Sequence, residues 1–309
     1  MRLFTESTPE QKIDSLKKTH IRKGLMKEIV VLSGKGGTGK TSIVGSFAVL
    51  AQGKVLVDCD VDAADLYLLL NPTMNEENEF WSGQVAIIDT AKCTECGLCQ
   101  DICRFEAIND FKVDPLSCEG CKFCYYVCPA EAITMEENLS GRWFISETNY
   151  GSLVHARLGI AQENSGKLVA IVRQKARQIA ENQGIDYIIT DGPPGIGCPV
   201  ISSLSGANLA LIVVEPTLSG IHDFERVMDV CNHFGIQAVV CINKYDINKK
   251  NSHQIESHCH SRGIKVLAKI PFDNAVTEAL VQGLPVVKFS DNKVTQEIGT
   301  LWQTISKIL

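Results

Sequence analysis

The sequence predicts an α/β protein in which a mostly parallel sheet, covered by helices on both faces, is interrupted by a small inserted α+β unit. Three observations carry that prediction. Short β-branched runs alternate with helix-length stretches, which implies right-handed βαβ units and so parallel strands. The alternation stops between about Gln84 and Glu137. Inside that gap a four-cysteine pattern occurs twice at a constant offset of 25 residues, the mark of a duplicated structural unit. The chain has 309 residues, 45% of them hydrophobic. That is enough for a real core and for about two units of roughly 150 residues each.

In chain order, residues 1–25 hold six Lys/Arg against three acids and lack an apolar period, so a partly helical or flexible polar extension is expected. Lys27–Ser33 is a β-branched run ending at glycines, as a buried strand entering a loop should be. Val55–Val57, Tyr187–Thr190, Leu209–Val214, Ala238–Ile242 and Val266–Ile270 read as further strands. Thr41–Gln52, Lys167–Gln183, Asp223–Phe234 and His253–Arg262 read as helices. The expected layout is the extension (1–25), a first α/β part (26–83), the insert (84–137) and a second α/β part (138–309). Val294, Ile298, Leu301, Trp302, Ile305 and Leu309 share one helical face, and only Lys293 and Lys307 supply cations to the other. A last helix docked on the sheet is expected there, not a membrane-surface helix.

Composition excludes several classes. No apolar run approaches the roughly 18 residues of a membrane span, and the first residues carry Arg2, Glu6, Glu10 and Lys12 without a signal-like apolar region. A net charge of −6 argues against broad nucleic-acid binding. Eight of thirteen cysteines fall between positions 93 and 128. Such a cluster suits thiolate ligation of a metal in a reducing, cytoplasmic setting better than a disulfide scaffold.

Gly34-Lys35-Gly36-Gly37-Thr38-Gly39-Lys40-Thr41 satisfies the P-loop pattern, directly after a strand and before a helix. Glycines let backbone N–H groups turn toward phosphate oxygens, and the helix adds its positive N-terminus. Lys40 is placed to reach the β/γ-phosphates and the Thr41 hydroxyl to hold Mg²⁺. The second lysine, Lys35, makes the loop resemble that of the deviant Walker-A ATPases, the MinD/ParA/Mrp and nitrogenase-iron-protein group. The resemblance covers nearly all of residues 26–309 and implies a P-loop NTPase sheet. It also implies that Lys35 completes the nucleotide site of a second subunit, and that Ser42 joins the cradle behind Thr41. By the same resemblance, Asp60 in Val55–Asp62 orients the attacking water. Asp191 stands in the Mg²⁺ shell, Gly192 senses the γ-phosphate, and Asn243 and Pro271 hold adenine. Asp58 and Asp62 read equally well as solvated loop carboxylates. Asn243-Lys244-Tyr245-Asp246 also spells the guanine-reading motif of GTPases, so GTP stands as the alternative to ATP.

The two C-x₂-C-x₂-C-x₃-C runs resemble the bacterial ferredoxin signature for a pair of [4Fe-4S] clusters, in which the fourth cysteine of each run crosses to the other cluster. That resemblance assigns Cys93, Cys96, Cys99 and Cys128 to one cluster, and Cys118, Cys121, Cys124 and Cys103 to the other. Pro129 follows Cys128 as expected, whereas Arg104 follows Cys103. Zinc is the competing metal. From Ile88 to Glu137 ten acids face four bases, which predicts low reduction potentials and a basic docking patch on any redox partner. Of the remaining cysteines, Cys231 and Cys241 are expected in the core, and Cys198 as a packed residue after Gly197, with a metal or redox role as its alternative. His258-Cys259-His260 is expected to be a solvated helix end.

The expected protein is therefore an ATP- and Mg²⁺-dependent, dimeric hydrolase, a homodimer or paired with a homologous ATPase. Its rearrangement would drive electron transfer to a client, or assembly and delivery of a metallocofactor. A MinD- or ParA-like positioning role is the third expectation.

Overall fold

The computed structural model describes residues 26–309; the expected extension over 1–25 lies outside them. Strand β1 (Lys27–Ser33) is buried from Glu28 onward, because neighbours flank it on both sides and helices cover both faces. Its side chains alternate accordingly. Ile29 and Val31 enter one core, Val30 and Leu32 the other.

The parallel strands are β1, β2 (Lys54–Asp58), β7 (Gly151–Leu158), β8 (Tyr187–Pro194), β9 (Leu209–Val214), β10 (Gln237–Asn243) and β11 (Lys265–Ile270). Two antiparallel strands, β3 (Thr73–Ile88) and β6 (Ile133–Thr148), extend one side. The nine-stranded order is β11-β10-β9-β1-β8-β2-β7-β6-β3, the mostly parallel sheet that was expected.

One face is covered by α1 (Lys40–Leu50), α2 (Leu66–Leu70), α9 (Asn274–Val281), α10 (Val286–Phe289) and α11 (Lys293–Ile308). The other carries α5 (Ser165–Gln183), α6 (Cys198–Leu204), α7 (Leu218–His233) and α8 (Lys249–Ser261). Helix α11 opens on an Asn292–Thr295 capping box and buries Val294, Ile298, Leu301, Trp302 and Ile305, with the Trp302 ring 5.1 Å from Phe47. Arg173 of α5 and Glu28 of β1, both 3% exposed, form an ion pair that Arg177 extends. Both arginines also donate to the Ser205 carbonyl at the end of α6, at 2.9 and 2.8 Å.

The cysteine-bearing segment expected as an insert lies between β3 and β6, which pair from Thr73–Glu147 out to Ile88–Ile133. The boundaries expected at 84 and 137 therefore fall inside two continuous strands. Beyond them lie α3 (Leu98–Asp101), a small β4–β5 hairpin (Ile108–Asn109, Lys112–Val113) and α4 (Phe123–Val127). Strands β3, β6 and β7 were not expected from the sequence. Met74 to Glu79 is polar and largely exposed at the sheet edge, which conceals any apolar alternation. Cys231 and Cys241 are fully buried, as expected. Cys259 is also fully buried on α8, so 258–260 is not a solvated helix end: its middle residue points into the core. Cys198 is exposed rather than packed. Among the described residues, no helix is long and apolar enough to cross a membrane.

Candidate functional site

The loop Gly34–Gly39 links β1 to α1. Gly37 and Gly39 adopt φ of 76° and 93°, where a side chain would be strained, and no side chain caps the N-terminus of α1. The helix's first N–H groups are thus left for a ligand. A Cβ on Gly34 would overlap Asp223, and one on Gly39 would meet the Asn243 amide. Lys40 is buried, while Thr41 and Ser42 are half-buried at the mouth. The buried Thr38 Oγ1 finds no protein partner among the described residues.

Carboxylates gather opposite. Asp58, the last residue of β2, and Asp191, within β8, are register partners, each 1% exposed. Asp58 accepts N–H bonds from Asp60 and Leu66, both at 3.1 Å, so it pins the two ends of the 60–66 loop. It is a buried brace and not a solvated loop carboxylate; Asp62 is exposed. Burial, then the nearby Asp191 charge, pushes the Asp58 carboxyl well up. Asp191 is pushed up to about 6 by burial, against the pull of Lys40 and the Thr41 hydroxyl. Its Oδ1 has no partner among the described residues, an acceptor turned toward the loop that suits a cation. Asp60 is likewise pushed up to about 6, burial outweighing Lys40. Gly192 lies inside β8, where a Cβ would strike Leu32 and the Val31 carbonyl.

Lys35 folds back on its own chain, with Nζ 3.1 Å from Thr217 Oγ1 and 3.9 Å from Glu215. Lys244 shares Glu215 at 3.6 Å and donates to the Gly37 carbonyl at 3.3 Å. Glu215, Thr217 and Lys244 were not assigned roles from the sequence. Their signal was positional, since Glu215 directly follows the C-terminal end of β9, where ligands of open α/β sheets collect. Asn243 Nδ2 donates to the Thr38 carbonyl at 2.7 Å, tying β10 to the phosphate loop. Asp246 accepts from the Phe272 N–H at 2.7 Å, which holds the Pro271 turn against the Asn243 strand end.

A nucleotide cradle with this geometry has relatives. A family profile for the CobQ/CobB/MinD/ParA nucleotide binding domain matches residues 29–286. The chain belongs to that family. An uncharacterised protein of Methanocaldococcus jannaschii is 34% identical to this family member over 290 residues, 93% of the chain and 99% of its own length. The cell division ATPase MinD of Pyrococcus furiosus superposes with a TM-score of 0.56 at 18% identity, over 92% of this chain and 100% of its own. The septum site-determining protein MinD of Pyrococcus horikoshii, complexed with Mg-ADP, gives 0.56 at 18% identity over 92% and 97%. These superpositions establish the α/β P-loop fold of the family.

The eight cysteines sort into two cavities. Cys103, Cys118, Cys121 and Cys124 line one of about 350 Å³, among Phe105, Phe123 and Met135. Cys93, Cys96, Cys99 and Cys128 line a second, smaller one. Among the described residues, no three His, Cys, Asp or Glu side chains form a group that could hold a metal ion. Burial and facing thiols raise the Cys99 and Cys124 thiols. Four soft thiol donors surround each space, the second of only about 20 Å³.

Proposed function

We propose that this family member is a Mg-ATP-hydrolysing nucleotide switch whose inserted unit holds two [4Fe-4S] clusters, and that dimer rearrangement is coupled to electron transfer through them to a partner protein. The supporting observation is the partition of the eight cysteines into two cavities of four, with Cys103 and Cys128 exchanged between the two runs. In this reading the amides of Gly34–Lys40 bind the phosphates, and Thr41 and Asp191 hold Mg²⁺. Asp60 orients a water whose oxygen forms the new bond to the γ-phosphorus as the bond to the bridging oxygen breaks, giving ADP and phosphate. Lys40, and Lys35 from a second copy, take up the developing charge. For Lys35 to cross over, it must leave Glu215 and Thr217. When bound, the clusters supply one-electron carriage, at low potential given ten acids against four bases around them.

Anaerobic purification tests the reading: absorbance near 400 nm with about eight iron atoms per chain is expected. Zinc without that absorbance overturns it. Reversible reduction by a strong reductant then separates electron transfer from transfer of iron to an apo-acceptor, the metallocofactor-delivery alternative. Likeness to the Pyrococcus MinD folds favours a second reading, a positioning ATPase with structural clusters. ATP-dependent sedimentation with liposomes, in chain whose clusters never accept electrons, would establish that one instead.

A further inference from the structure

The two cysteine cavities differ in their relation to the nucleotide site. Helix α6 begins at Cys198, immediately after the 191–197 segment, and packs on α5 at both ends. At the start of α5, a Cβ on Gly166 would lie 3.1 Å from Cys198 Cβ and 3.2 Å from Ser202 Oγ, so the helices approach as closely as glycine permits. At the other end, Arg173 donates to the Ser202 and Ser205 carbonyls, and Arg177 to Ser205. Both arginines are fixed by the buried Glu28. A displacement of α6 therefore carries α5 with it.

Just before α5, residues 159–164 are stitched to β6: Gly159 N–H donates to the Ser140 carbonyl at 2.8 Å, and Asn138 Nδ2 to Gln162 Oε1 at 2.5 Å. Across a small cleft lined also by Gln84, Ala161–Asn164 face Pro115, Leu116, Cys118 and Glu119. The cysteine loop sits on that same neck, because a Cβ on Gly120 would overlap the Gln84 carbonyl oxygen. The contacts from Cys198 thus reach the Cys118 loop through β6, β3 and the Gln84–Gly120 approach. No residue of α5, α6 or 159–164 lines either cysteine cavity, but 161–164 share this cleft with Cys118, whereas Cys93, Cys96, Cys99 and Cys128 lie outside it.

We propose that α5 and α6 act as one rod that transmits the state of the 191–197 segment to the Cys118 loop. Nucleotide is then felt at the Cys103/Cys118/Cys121/Cys124 set and not at the other, with Gly166 as the positioning residue. This rests on the iron–sulfur reading above. The test uses full-length chain reconstituted anaerobically, with an iron chelator bleaching the clusters in the presence of Mg-ADP or a Mg-bound non-hydrolysable ATP analogue. A difference of about fivefold or more in one of two bleaching phases is expected between the nucleotides. It should persist in Cys96→Ser and vanish in Cys121→Ser. Gly166→Val should abolish the difference while nucleotide affinity is kept, and Gln162→Ala, in the half-buried 159–164 segment that joins the rod to β6, should diminish it even if the valine variant does not fold. Persistence of the full difference in Gly166→Val or Gln162→Ala, or its residence in the Cys96 set, overturns the inference. Clusters present but indifferent to nucleotide overturn it alone, whereas chain that assembles no cluster brings down the iron–sulfur reading and this inference with it.

Discussion

Asp58, Asp60 and Asp191 meet at the strand ends facing Lys40, and their protonation follows mainly from burial. Replacing Asp60 by Asn should slow phosphate release by about 10²–10³-fold in single turnover while nucleotide affinity holds within a few fold. Because its carboxyl is pushed up to about 6 in the free protein, kcat/KM should fall as pH drops through that value; a flat profile from pH 7.5 to 5 would remove Asp60 from the water-orienting role. Asp191 gives a stability prediction with a definite sign. Its folded value of about 6 exceeds the ordinary aspartate value of 3.8. The native state therefore holds the extra proton between those limits, and stability rises as pH falls through about 6. Asp191→Asn should raise the Tm of the nucleotide-free chain by a few degrees at pH 7.5 and hardly at pH 4.5, read by thermal melts. The phosphate loop was legible because eight contiguous residues encode it. The partner of Lys35 was not: Thr217 stands 182 positions away, and only folding brings them together. Asp58 stood open between a direct role and a solvated loop carboxylate because a strand-end carboxylate looks, in sequence, like the loop that follows it.

At the level of elements, the strands buried on both faces and the long helices were legible from β-branched runs and helical periodicity. Helix α11 shows why: its apolar stripe is what the sheet needs. Truncating Trp302 to Ala should cost about 3–5 kcal/mol in urea unfolding, because the ring fills the space against Phe47 and Tyr187. The β3–β6 pair was not legible, since edge strands tolerate the Asn75–Glu79 polar run and their pairing joins residues up to 74 positions apart, as Thr73 with Glu147. The α5–α6 clamp was equally hidden, for it depends on Glu28 meeting Arg173 from 145 residues away. Glu28→Ala should cost about 3–5 kcal/mol because it strands a 3%-exposed guanidinium without its counter-charge. A loss under about 1 kcal/mol would show that water reaches Arg173.

For the molecule as a whole, the cysteine repeat marked where the α/β alternation stops, but not that one strand pair flanks the repeat. The hairpin carrying it closes cleanly. Ile88 pairs with Ile133, and the Asp89 N–H donates to the Ala132 carbonyl at 2.7 Å. Replacing residues 89–132 by Asn-Gly, which suits a two-residue hairpin turn, should leave a folded chain that binds Mg-nucleotide within a few fold of the parent, checked by calorimetry. Loss of folding would mean that the sheet depends on what the hairpin carries.

That closure has an evolutionary reading. A segment that leaves and re-enters at the tip of a ladder begins and ends where the two strands already stand side by side, so lengthening or shortening it need disturb no pairing beneath it.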